Sequence, residues 1–135
     1  MLLTLPEIKA KVDKLAKIID ASQDVLPTYG FSAQDGRPHI EIGSQGYYYL
    51  VLDRDAVCDR LVTKDIDELL YKIFDFATSE LAKKDKSTRR IEDRDPRRFW
   101  FQRQVELLSM ISSSWAERKS KEHEEILQQH LLNDS

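Results

Sequence analysis

Few residues in this chain could do chemistry, and their spacing settles most of what they could do. The three histidines are His39, His123 and His130. A metal site needs several ligands aimed at one point, and no His-Glu-x-x-His pattern or cysteine cluster joins these three. His123 and His130 stand seven apart and would share a helical face, but no carboxylate completes a ligand set there. Neither a metal nor a cofactor is expected. The single cysteine, Cys58, lies between Val57 and Asp59. A neighbouring acid opposes thiolate formation, so Cys58 reads as a small packing residue, not a nucleophile. Gly43-Ser44-Gln45-Gly46 has the glycines of a phosphate loop, but such a loop feeds a helix and carries a Lys-Ser/Thr pair. This one leads into a strand-forming run. No nucleophile elbow or kinase signature is present, and the expectation is that the chain is not an enzyme.

Residues suited to binding are more plentiful. Arg89, Arg90, Arg94, Arg97, Arg98 and Arg103 surround Phe99-Trp100-Phe101. Arginines among aromatic rings suit single-stranded nucleic acid, because bases stack on rings while guanidinium groups hold phosphates. Glu92, Asp93 and Asp95 are interspersed, however, and favour a salt-bridge network or a protein-docking surface; nucleic acid is the less favoured partner. Tyr47, Tyr48 and Tyr49 form the second group. In a strand Tyr48 points opposite to its neighbours, so one face enters the core and the other is wet. A wet tyrosine is a good interface anchor, being large, amphipathic and poor in rotamers. Core and interface roles are both open.

The elements that must carry these residues follow from periodicity. Thr4-Leu5-Pro6-Glu7 is a capping-box pattern, and Ile8, Val12, Leu15, Ile18 and Ile19 follow at helical spacing, predicting a helix over 5–20. Pro27, Gly30 and Gly36 mark a loop. Residues 37–62 predict an antiparallel meander of about three strands, with Gly43–Gly46 and Asp53-Arg54-Asp55 as its turns. Thr63 can cap a helix over 64–84 whose apolar face includes Ile66, Leu69, Leu70, Ile73, Phe74, Ala77 and Leu81. A charged linker follows. Asp95-Pro96 then opens a segment without Gly or Pro to residue 130, a helix of roughly 50 Å if continuous. Its first half has an apolar face through Phe101, Val105, Leu108 and Trp115. Its second half is largely charged and reads as a projecting arm, held by Glu117–Lys121 and Arg118–Glu122 pairs. Ser112-Ser113-Ser114 marks a possible bend. The arm's apolar tip, Ile126-Leu127 and Leu131-Leu132, offers a contact for a partner or for self-association as a homodimer.

The bulk numbers fit one α+β domain: 135 residues, 41% apolar and 33% charged, with net charge −3. That net charge does not by itself call for nucleic acid or a membrane. Asp53 to Glu80 holds eight acidic and four basic residues, and Asp85 to Arg103 four acidic and seven basic. Separated patches of opposite sign are what proteins that dock on proteins use. One cysteine excludes an internal disulfide and makes a reducing compartment the default. The apolar run Tyr47–Leu52 is far shorter than the ~20 residues of a membrane span. A cytoplasmic protein is expected.

Several of these stretches together resemble a known family. Tyr47-Tyr48-Tyr49, the charged turn Asp53-Arg54-Asp55 and Asp65-Ile66-Asp67-Glu68-Leu69-Leu70-Tyr71-Lys72-Ile73-Phe74 are similar to the middle of the immunity protein 63 family of bacterial polymorphic-toxin systems. Asp95-Pro96-Arg97-Arg98, Phe101, Gln104, Leu107-Leu108 and Trp115 resemble its C-terminal pattern. The chain departs from that pattern at Asp55, where the family turn carries glycine, and at Lys72, where a large aromatic is frequent. The resemblance implies a non-catalytic antitoxin that binds and neutralises a toxin, with Asp95, Arg97, Arg98, Phe101 and Trp115 as signature or structural positions. On that reading Asp53, Asp55, Asp59, Asp65, Asp67 and Glu68 would cover a basic toxin surface, such as a nuclease's. Arg54 lies among them, and Tyr47 or Tyr49 would be the anchor. The alternative is a small nucleic-acid-binding or regulatory protein using Arg89–Arg103.

Overall fold

The computed structural model describes residues 2–31, 35–53, 56–84 and 96–133. It falls into two compact units, Met1–Ala77 and Thr78–Ser135. The expected α+β class is what it contains.

In the first unit, helix α1 spans Leu5–Ile18. Thr4 and Glu7 form the expected capping box: the Glu7 N–H donates to Thr4 Oγ1 at 3.3 Å and the Thr4 N–H to the Glu7 carboxylate at 3.0 Å. The hydrogen bonds from the Thr4 backbone and side chain hold the Glu7 carboxyl below its ordinary range. The helix ends because Asp20 takes φ 51°, which lets the Ala21 N–H close on the Ala16 carbonyl at 3.0 Å.

Strands β1 (Thr28–Tyr29), β2 (Asp35–Gly43), β3 (Gly46–Asp53) and β4 (Ala56–Thr63) form one sheet in that order. The three expected antiparallel strands are β2 to β4. Residue pair 28–29 adds a fourth, parallel to β2 in the register Thr28↔His39. The meander is therefore part of a mixed sheet, because the loop after α1 returns alongside β2 before the hairpins begin. Gly46 is essential to the first hairpin. Its φ is +129°, and a Cβ there would lie 2.5 Å from the Thr63 carbonyl oxygen on β4. Helix α2 (Ile66–Lys84) is capped by Asp65, whose Oδ1 accepts the Asp67 N–H at 2.9 Å. Thr63, the expected cap, accepts the Asp65 N–H at 3.1 Å and shapes the turn one step earlier.

The second unit replaces the single long helix with two. Helix α3 spans Pro96–Ile111 and α4 spans Ser113–Asn133, with only Ser112 between them. Ser112 serves both: its N–H reaches the Leu108 carbonyl at 2.8 Å, and its Oγ accepts the Trp115 N–H at 3.3 Å. Phe101 and His123 stand eleven residues before and after Ser112, which in a straight helix would be about 33 Å apart. Their rings instead stack at 3.8 Å between centroids and 4° between planes. The chain thus reverses at Ser112, and α4 folds back along α3 as a helical hairpin. The charged stretch is not a projecting arm: Trp115, Ala116, Lys119 and His123 are buried. Lys119 is tolerated there because its ammonium meets Glu122 at 2.6 Å.

Two outcomes are expected. Gly46→Ala should destabilise the protein by about 2–3 kcal/mol, read as a fall in the urea midpoint, since the residue would be strained and would strike β4. Removing residues 120–135 should cost the second unit its cooperative melting, since it uncovers Phe101 and takes His123 from Gln104. A truncated chain with undiminished α3 helicity and an unchanged melting temperature would contradict the hairpin.

Candidate functional site

Strand β3 decides which side chains can meet a partner. Tyr47, Tyr49 and Val51 alternate with Tyr48, Leu50 and Leu52, and the first three are buried. Tyr47 is 2% exposed, and its hydroxyl accepts the Leu3 N–H at 2.7 Å. Tyr49 is 1% exposed and lies 5.7 Å from the Lys72 ammonium, which sits over its ring. That ammonium is held by Asp59 of β4 at 2.8 Å. Burial, with Asp59 and Asp75 nearby, pushes the Tyr49 phenol well above its ordinary 10.0. The two tyrosines expected as anchors are thus core residues, and the tyrosine left towards solvent is Tyr48.

The opposite face is the candidate site. The register places Tyr48 beside Val62, Leu50 beside Arg60 and Leu52 beside Val57 on β4, with Glu41 and His39 across on β2. Val57 is 62% exposed, and every β4 residue from Ala56 to Arg60 is exposed. Tyr48 lies down across the sheet because Gly43 leaves room: a Cβ on Gly43 would meet its ring at 2.8 Å. The face therefore combines a half-exposed aromatic ring, several aliphatic side chains, the Arg60 cation and the Glu41 carboxylate, while His39 on it is buried. It borders β4, a terminal strand of the sheet whose outer backbone groups could pair with an incoming strand. The β3–β4 register shifts between Val51 and Leu52, and Cys58, opposite neither, is the extra residue of that bulge. Such bulges and the Asp59 and Arg60 charges restrain indiscriminate pairing.

The expected acidic side is not one patch. Asp53 pairs with Ala56 at one end of the β3–β4 hairpin, whereas Tyr47 pairs with Thr63 at the other, where Asp65 and Asp67 begin α2. Those ends are about 20 Å apart along the strands. Asp59 lies between them, tied to Lys72. Arg54, Asp55 and Asp95 lie outside the described residues, as do Arg89, Arg90 and Arg94. Arg97 and Arg98 belong to the first turn of α3. Arg103 meets Glu106 at 3.1 Å. Phe101 and Trp115 are buried in the second unit. There Gln104 ties elements together: its amide donates to Thr78 Oγ1 at 3.2 Å, and its carbonyl oxygen lies 3.0 Å from His123 Nε2. Val57, Arg60 and Val62 were not singled out by sequence, because period two pairs residues without saying which face the helices cover.

Among the described residues no group of three His, Cys, Asp or Glu could hold a metal ion, and no helix is long and apolar enough to cross a membrane. The model of the immunity protein 63 family matches residues 43–125. The chain belongs to that family. The matched span runs from the Gly43 turn through β3, β4, α2 and α3 into α4, so it includes the β3–β4 part of the outer sheet face and most of the hairpin. No curated protein and no solved structure matches the chain.

The Tyr49 phenol gives a pH signature with a definite sign. A group whose folded pKa is raised contributes stability that is complete below its unfolded value and lost as pH rises above it. Stability should therefore decline above about pH 10, the ordinary tyrosine value. Tyr49→Phe, which keeps the ring and removes the proton, should flatten that alkaline decline in urea titrations at pH 8 to 11. An unchanged slope would mean that Tyr49 ionises freely.

Proposed function

We propose that this chain is an immunity protein that binds and neutralises a cognate bacterial toxin by direct contact, without catalysis, in the cytoplasm. Its docking surface is the outer face of the sheet with the adjoining edge of β4. The observation that carries the reading is the family match over residues 43–125. The geometry supports it: an antitoxin needs a complementary surface and no reactive centre, and Tyr48, Val57, Arg60 and Val62 supply apolar area with a cation beside it. Tyr48 takes the anchor role, since Tyr47 and Tyr49 are committed to the core. The exposed Asp53 and Asp67, at the two ends of the hairpin, would meet basic groups of the toxin, as on a nuclease.

The test is co-expression of the full chain with the toxin domain encoded beside it, scored by survival and by co-purification. The native chain should protect and co-purify. Tyr48→Ala and Val57→Lys should each weaken the complex at least about tenfold, the ~1.4 kcal/mol expected of a moderate anchor. Charge reversal at Asp53 and Asp67 should slow association most at low salt. A chain that neither protects nor co-purifies refutes the function; full affinity in both face variants refutes the surface.

A further inference from the structure

The hairpin of α3 and α4 carries a groove that the outer sheet face does not explain. It has a volume of about 420 Å³, and its apolar lining is Phe101 and Val105 from α3 and Leu127 from α4. Glu106 and Glu124 stand on its walls, and Ser109 and Ser120 lie towards the Ser112 end. Among the described residues, no Lys or Arg lines it. Arg103 approaches Glu106 at 3.1 Å but is not part of the lining.

The rows are helical in spacing. Phe101, Val105 and Ser109 recur every four residues along α3, and Ser120 and Glu124 do so along α4, as does His123 with Leu127. Rows of this period on two adjacent helices form the trough into which the ridge of a third helix fits. Serine at two positions lets an incoming backbone approach closely. The stretch from Phe101 to Ser109 is about 12 Å long, so it would seat roughly two turns of helix.

Charge selects the occupant. A second copy of this chain laid groove to groove would set Glu106 and Glu124 against Glu106 and Glu124, an arrangement of like charges that costs affinity. An extended strand would present side chains at period two, out of step with rows at period four. We propose that this groove is a docking site for a basic amphipathic helix of a partner protein. That helix inserts aliphatic residues spaced three and four apart between Val105 and Leu127, and places Lys or Arg beside Glu106 and Glu124. The site stands independently of the toxin reading.

The probe is a fluorescein-labelled 18-residue peptide of leucine and lysine, with leucines at helical spacing, titrated into the full chain by fluorescence anisotropy. Two comparison peptides are its glutamate analogue and an isomer with alternating leucines. The basic helical peptide should bind at least about tenfold more tightly than either. Val105→Lys and Glu124→Lys should each weaken it at least tenfold, while Val57→Lys on the sheet leaves it unchanged. Glu124 is exposed, so its variant reports on the groove even if Val105→Lys perturbs packing. Equal binding of the three peptides, or full binding by Glu124→Lys, overturns the proposal. So does a native dimer in sedimentation that both groove variants dissolve, which would make a second copy the occupant.

Discussion

Strand β3 is paired along both edges, to β2 and to β4, and its alternation is the constraint from which the rest of the first unit follows. Once Tyr47, Tyr49 and Val51 enter the core, Tyr48, Leu50 and Leu52 must face outward, because a one-residue slip would exchange the two sets. The slip is blocked at the start of the strand. Gly46 sets the turn in a conformation that other residues resist, and the Leu3 N–H reaches the Tyr47 hydroxyl. Lys72 adds a third restraint by bridging Asp59 across the Tyr49 ring. Its exposed ion pair contributes at most about 1 kcal/mol, so its main effect is on register and less on stability. The surface open to a partner is thus decided by what the core requires.

Much of this was legible from local sequence. The capping box at Thr4 and Glu7, the Gly43–Gly46 turn, the extent of α2 and the Arg118–Glu122 pair, observed at 3.3 Å, all involve residues within a few positions of each other. What was not legible depends on distant partners. Strand β1 is two residues long, too short for any period, and exists only because residues 28 and 29 find residues 39 and 40. The orientation of the tyrosine run was equally out of reach, since parity separates Tyr48 from its neighbours without naming the covered side. For the acidic residues, closeness in sequence was mistaken for closeness in space: Asp53 and Asp67 are separated by a strand's length.

The helical hairpin shows the same dependence at larger scale. Residues 116–125 are rich in charge and look solvated, yet two of their polar side chains are only 7% exposed, Lys119 and His123. Each is admitted by a partner: Glu122 for Lys119 and the Gln104 carbonyl oxygen for His123. The reversal needs neither Gly nor Pro, because Ser112 continues the hydrogen bonding of α3 and caps α4 with its hydroxyl. A serine run reads as a bend in sequence; only the stack of Phe101 on His123 shows that the bend is a complete return.

That internal polar seam bears on the outer groove. Gln104 is 1% exposed and gives its donor to Thr78 and its acceptor to His123, so the seam is specified by hydrogen bonds that tolerate little sliding. A polar network of this kind adds little net stability, but breaking it leaves groups unsatisfied at about 1–3 kcal/mol each, which makes other registers unfavourable. Fixing the register also fixes where the remaining apolar side chains fall. With Gln104 and His123 turned towards each other, Val105 and Leu127, one and four residues further along, border the groove and stay half-exposed. The apolar groove is therefore a consequence of a hairpin held by polar contacts, and it persists as long as those contacts do.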